Sequence, residues 1–237
     1  MRYSIAFAAA ALASSVSAHG VITQVQGANG VNMPGLSVID GTPRDSGNPL
    51  SGSEADTSII RTREMGGKAS ALGRTQGGGP VDAAAAISTF MGTGAAGGAA
   101  AANKKRGLLD ALTGGAGGAA GAGGAGGAAS AAGTKTPKGT NEAGVAAAAG
   151  QGASQGLPTT ADDGTITMTF HQVNQDGAGP LTAQIDATSG GTDPAAFQDA
   201  TVTQDVPGIG IGGLSAAAVM DFPVKVRPFL PLSSLHS

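Results

Sequence analysis

Thr165-Ile166-Thr167-Met168-Thr169-Phe170-His171 alternates without a break. Side chains of a β-strand point to opposite faces with period two, so Ile166, Met168 and Phe170 share one face and the threonines and His171 share the other. This segment predicts a half-buried strand. Downstream, Asp176-Gly177-Ala178-Gly179-Pro180 reads as a turn and Leu181 to Asp186 as the next strand. Thr201-Val202-Thr203 and Val224-Lys225-Val226 are weaker strand candidates. Upstream, Val21-Ile22-Thr23-Gln24-Val25 reads as a strand ended by Gly27-Ala28-Asn29-Gly30. Val81 to Met91 is the one helix candidate, with Pro80 in its first turn and Gly92 just past its end. Short strands separated by Gly, Pro, Asn and Asp turns predict an all-β fold, an immunoglobulin- or fibronectin-like β-sandwich with long loops.

The N-terminus reads as an export signal. Arg2 is the only charge in residues 1–18, Ile5 to Val16 is a short apolar run, and Val16-Ser17-Ala18 supplies small residues for cleavage. The mature chain is therefore expected to be extracellular and to begin at His19. The run is shorter than the ~20 residues of a membrane span, and later Ala-rich stretches are broken by Gly, so no membrane partner is expected. Removing Arg2 moves the formal net charge from −3 to about −4, which argues against nucleic acid, whose binders carry a basic face.

The domain reads as residues 19–92 and 157–222, interrupted by a low-complexity insertion over 93–156. Between Gly114 and Gly133 there are 10 Gly, 9 Ala and one Ser. Such composition offers little apolar area to offset ordering entropy, which predicts disorder. Lys104-Lys105-Arg106 within it reads either as solvated loop charge or as a cleavage site for a secretory-pathway protease. Residues 223–237 read as a divergent tail.

With no cysteine, thiol chemistry and zinc fingers are excluded. Of the three histidines, His236 lies in the tail and is not a candidate ligand. Cleavage before His19 would place a free amine and an imidazole on one residue. With His171 they would supply three nitrogens in a T shape, a donor set suited to copper. The amine, with a reference pKa of ~7.7–8.0, can be deprotonated by metal binding. The bland readings are an accidental N-terminal histidine and a solvated strand histidine. Gly208-x-Gly210-x-x-Gly213 spells a dinucleotide fingerprint but lacks the βαβ context and the later acidic residue, and reads as a turn. Asn174-Gln175-Asp176-Gly177 lacks the glutamate that closes a calcium loop.

Several strings resemble the Egh-like secreted virulence factors of fungi, also described as appressorium-specific proteins. These are His19-Gly20-Val21-Ile22, GANGVNMP (27–34), DGTPRD (40–45), ADTSIIRTR (55–63), LGRTQGGGPVD (72–82), HQVNQDGAGP (171–180), DATSGGTDPAAF (186–197), VPGIGIGGL (206–214) and Phe222-Pro223. The resemblance implies a protein exported during host penetration. That family is in turn similar to lytic polysaccharide monooxygenases in its N-terminal His and a second His on a β-sandwich. What this implies is a copper histidine brace, with His19 giving amine and side chain, His171 the third nitrogen, and Gln172 a neighbour of the site. The partner would be chitin or another insoluble polysaccharide. A non-catalytic effector or a polysaccharide-binding wall protein on the same sandwich is the alternative. Family members often carry cysteines around Ser46 to Ser53, absent here. From about Val224 the tail is expected to leave the family pattern, as a shifted reading frame or misread splice site would cause.

Overall fold

The computed structural model describes residues 19–59, 70–94, 133–175, 177, 179–207 and 218–228. The alternating segment forms the centre of the sheet. This strand, β6 (Ile166–Gln172), runs antiparallel to β1 (Gly20–Gln26) on one side and to β9 (Met220–Pro228) on the other. Beyond β1 lies β2 (Asn32–Pro34). Beyond β9 lie β8 (Phe197–Gln204) and then β7 (Ala183–Asp186), giving the order β2-β1-β6-β9-β8-β7. A short strand, β5 (Thr134–Lys135), also pairs with β9, making seven strands. A separate two-stranded ribbon joins β3 (Arg74–Thr75) to β4 (Gly79–Pro80). The fold is all-β, a curled antiparallel sheet consistent with a β-sandwich.

The pleat divides the central strands as the alternation predicts. Ile22, Phe170 and Phe222 stand opposite one another across β1, β6 and β9, and so do Val21, His171 and Asp221 one position along. The first row enters a core of Phe170, Val206, Phe222, Val224 and Val226, packed with Met168 of β6 and with Leu181, Ile185 and Val202. Full burial of each large apolar side chain contributes about 1.5–3 kcal/mol. The second row lies on the opposite face, which is covered by loops.

A second core gathers Val31, Met33, Phe90, Val145 and Ala148. Phe90 ends helix α1 (Ala83–Phe90). The helix starts later than Pro80 suggests. Pro80 is in β4, and Asp82 is the cap, its side chain accepting from the Ala85 N–H at 3.0 Å. Gly92, at φ 71°, supplies the left-handed turn past the helix end. Phe90 also abuts a second short helix, α2 (Gly152–Gln155), where a Cβ on Gly152 would lie 2.7 Å from the ring.

Two boundaries differ from the sequence reading. Residues 133–156 do not belong with the low-complexity insertion, because β5 joins the sheet and Val145 and Ala148 fill the second core. Their small side chains suffice because the neighbours Phe90 and Met33 supply the bulk. The segment 95–132, including Lys104 to Arg106, lies outside the described residues. Residues 223–228 are not a divergent appendage. They belong to β9, which pairs with β6 from Ile166↔Val226 through Gln172↔Met220 and with β8 along its other edge. Residues 1–18, the Gly208–Gly213 fingerprint and His236 lie outside the described residues. Among those described, no helix is long and apolar enough to cross a membrane.

Candidate functional site

His19 immediately precedes β1 and is held to the sheet by its carbonyl, which accepts from the Val173 N–H at 2.8 Å. Gly20 makes that docking possible. The Phe170 ring lies over it, and a Cβ there would stand 2.1 Å from Phe170 Cζ. The His19 side chain is 23% exposed. Its Nδ1 lies 3.0 Å from Asn174 Oδ1 and its Nε2 3.6 Å from Glu54 Oε2, while Asn174 Nδ2 donates to Glu54 Oε1 at 2.8 Å. Since an amide oxygen only accepts, the proton of the His19–Asn174 bond belongs to Nδ1 in this arrangement.

His171 sits directly between Val21 and Asp221 in the sheet. Its side chain is fully buried. Nδ1 lies 2.8 Å from Asp221 Oδ1 and 3.5 Å from Thr136 Oγ1, and that hydroxyl donates to Asp221 Oδ2 at 3.0 Å. Nε2 is buried and has no hydrogen-bond partner among the described residues. Buried polar atoms are nearly always paired, so such an atom calls for a ligand, an ordered water or an ion.

The structure brings the two histidines together. With the His19 backbone against Val173 and Val21 opposite His171, they are diagonal neighbours on one face of the β1–β6 pair. Diagonal pairs stand roughly 7–8 Å apart. The expected exposure of His171 is corrected. Strand alternation turns it away from the Phe170 core, as predicted, but Thr136 from the segment after β5 and the loop carrying Glu54 cover that face. Gln172 reaches the site only through Asn174, whose side chain meets the His19 ring. The pleat turns it to the face opposite His171, and its Nε2 donates to the Asn174 carbonyl at 2.9 Å. Among the described residues, no group of three or more His, Cys, Asp or Glu side chains is arranged to hold a metal. A brace would draw on two imidazoles and the His19 amine, which is free only after cleavage at Ala18.

Sequence reasoning missed Glu54, Thr136, Asn174 and Asp221. Asn174 lies three residues beyond His171 within HQVNQDGAGP, and Asp221 directly precedes Phe222-Pro223, so both sit in or beside strings already singled out. Glu54 directly precedes ADTSIIRTR in the same way, whereas nothing local marks Thr136.

This chain belongs to the Egh16-like virulence factor family, whose family model matches residues 17–229. The match runs past Val224, where the resemblance was expected to end. The chain is 58% identical over 229 residues to the appressoria-specific virulence factor GAS2 of Pyricularia oryzae strain 70-15, covering 96% of this chain and 76% of that protein. A second GAS2 sequence from Pyricularia oryzae matches to the same extent. No solved structure matches.

Proposed function

We propose that the chain is exported, loses residues 1–18, and serves as an infection-stage copper protein. In this reading it acts on chitin or plant-wall polysaccharide in the manner of a lytic polysaccharide monooxygenase. The observation that carries this reading is the buried, unpartnered Nε2 of His171, on a ring anchored through Nδ1 and one diagonal from His19. The donor set fits a copper ion in its chemistry, with the His19 amine, the His19 imidazole and His171 Nε2 as three nitrogens. Copper held there would supply one-electron redox chemistry for oxidising a sugar C–H bond with peroxide or oxygen.

The protein's own contribution is positional. β1 and β6 fix the two imidazoles relative to one another. The loop carrying Glu54 leaves His19 as the partly exposed ligand, so substrate would approach from the His19 side. The Asn174 and Glu54 contacts to the His19 ring must exchange when the ring turns a nitrogen to the metal.

A second reading is a non-catalytic secreted effector. Two observations favour it. His171 is wholly buried, and among the described residues Phe90, Phe170 and Phe222 are buried, which leaves the partly exposed Phe197 as the one described phenylalanine ring near the surface for stacking on sugar.

Copper titration of protein beginning at His19 separates the readings. The expected result is tight 1:1 binding, abolished by His171→Ala and by one additional residue ahead of His19, and unchanged by His236→Ala. Oxidised oligosaccharides should appear by mass spectrometry when chitin is supplied with ascorbate and peroxide. Binding that is equally weak in all four proteins would leave the effector reading in place.

A further inference from the structure

We infer that Asp221 is a positioning residue that locks the His171 imidazole in its Nδ1–H tautomer and leaves the lone pair on Nε2. The inference deepens the copper reading and rests on it for its functional meaning, though the tautomer can be measured without metal.

Antiparallel pairing sets Asp221 directly opposite His171. A carboxylate only accepts, so the 2.8 Å contact requires the proton on His171 Nδ1. The Thr136 hydroxyl spends its single proton on Asp221 Oδ2 at 3.0 Å. What it turns towards Nδ1, at 3.5 Å, is therefore its oxygen. Nδ1 thus faces two acceptors and no donor. The other nitrogen, Nε2, has no acceptor among the described residues. A proton there would be a buried donor without a partner, which is unfavourable. Both ends of the ring therefore select the same tautomer, neutral with an available Nε2. That is the form in which an imidazole ligates a metal, and a carboxylate behind a ligating histidine also raises its basicity. The lock is built from distant parts of the chain: β6 supplies the ring, β9 the carboxylate, and the residue after β5 the hydroxyl that orients it.

The test begins with metal-free protein starting at His19, labelled with 15N-histidine. Long-range proton–nitrogen correlation should show His171 as a single Nδ1–H tautomer. Asp221→Leu keeps the bulk but removes the acceptor. It should populate the Nε2–H form and weaken copper binding about 10–100-fold, the range for loss of a partner behind a ligand. Asp221→Asn retains a carbonyl acceptor, with its amide donating to Thr136, and should preserve the tautomer and most of the affinity. Thermal unfolding of each metal-free variant reports whether the fold is kept. If Asp221→Leu does not fold, the wild-type spectrum and Asp221→Asn still decide.

An Nε2–H tautomer in the wild type overturns the inference. So does an Asp221→Leu variant with wild-type tautomer and copper affinity. If the tautomer is Nδ1–H but His171→Ala leaves copper binding intact, the lock stands and the copper reading falls.

Discussion

The Arg44 guanidinium meets the Asp56 carboxylate through two parallel hydrogen bonds, Nη1 to Oδ1 at 2.9 Å and Nη2 to Oδ2 at 2.6 Å, with both side chains buried. Arg44 Nε donates to Glu142 at 2.9 Å, and the Ile39 N–H donates to Asp56. Burial opposes the guanidinium charge, but the hydrogen bonds and charges of Asp56 and then Glu142 outweigh it and raise the Arg44 pKa above its ordinary value. The pair joins DGTPRD to ADTSIIRTR, and Glu142 ties in the segment after β5. Two of the strings that carry the family resemblance thus meet as a structural clamp beside the covered face of the sheet.

Arg44→Met should destabilise the protein by about 3–5 kcal/mol, because it strands a buried carboxylate. Urea denaturation of the two proteins measures this directly. Adding Asp56→Leu should recover part of the loss, though not all, since the Ile39 N–H then loses its acceptor. A single Arg44→Met variant as stable as the wild type would show the clamp to be energetically idle.

Gly20→Ala tests the close approach beneath Phe170. The ring or the start of β1 must shift to accept a methyl, at a cost of about 1–3 kcal/mol. Because His19 is the residue before it, the same variant should also weaken copper binding. Unchanged stability would mean that β1 begins differently.

Phe90→Ala tests whether residues 133–156 are part of the core. Removing the ring should cost about 3–5 kcal/mol. Amide exchange around Val145 and Ala148 should accelerate together with that of α1. Fast exchange around Val145 in the wild type, as in an unfolded chain, would remove this segment from the core.

Asp186 supplies the pH dependence. Its carboxylate accepts from the Ser189 hydroxyl and from the backbone N–H groups of Ser189, Thr188 and Gly191. These bonds, led by the Ser189 hydroxyl, hold it well below the usual carboxylate range. Since the folded value is depressed, its stabilising contribution is complete above the unfolded value of ~3.9 and declines as pH falls from there towards the folded value. The stability difference between wild type and Asp186→Asn should therefore be flat from pH 7 to 5 and shrink below pH 4. A carbon-detected titration placing Asp186 near 3.9 would contradict this.

The strands were legible where period two is strong. Ile166 to Phe170 alternates cleanly, and both its pairing face and the side chosen by His171 follow from that. Periodicity says which residues share a face but not what covers it, and so His171 reads as solvated until Thr136, 35 positions away, is placed above it. Thr134 to Gln155 is hidden for a different reason. Its apolar side chains are only alanines and one valine, too small to show a pattern, and they become core only against Phe90 and Phe222, which lie far off in sequence. Gly133 illustrates this, since a Cβ there would stand 2.4 Å from the Phe222 ring. Val224 to Val226 was visible as a strand. Its central place was not, because strand order is set by long-range pairing.

The strand order has a consequence for synthesis. β9 alone connects the half of the described sheet built on β1, β2 and β6 to the half built on β7 and β8. The Thr23 hydroxyl of β1 donates to the Thr169 carbonyl of β6, 146 positions away, and β6 then pairs β9 more than forty positions later still. An emerging chain therefore offers β1 only the three-residue β2 until β6 is made, and neither half can join the other until the last described strand arrives. Non-local pairing of this kind is slow. The chain would stay largely unpaired until its last described strand is made, with the central strand waiting on β9 to close the sheet.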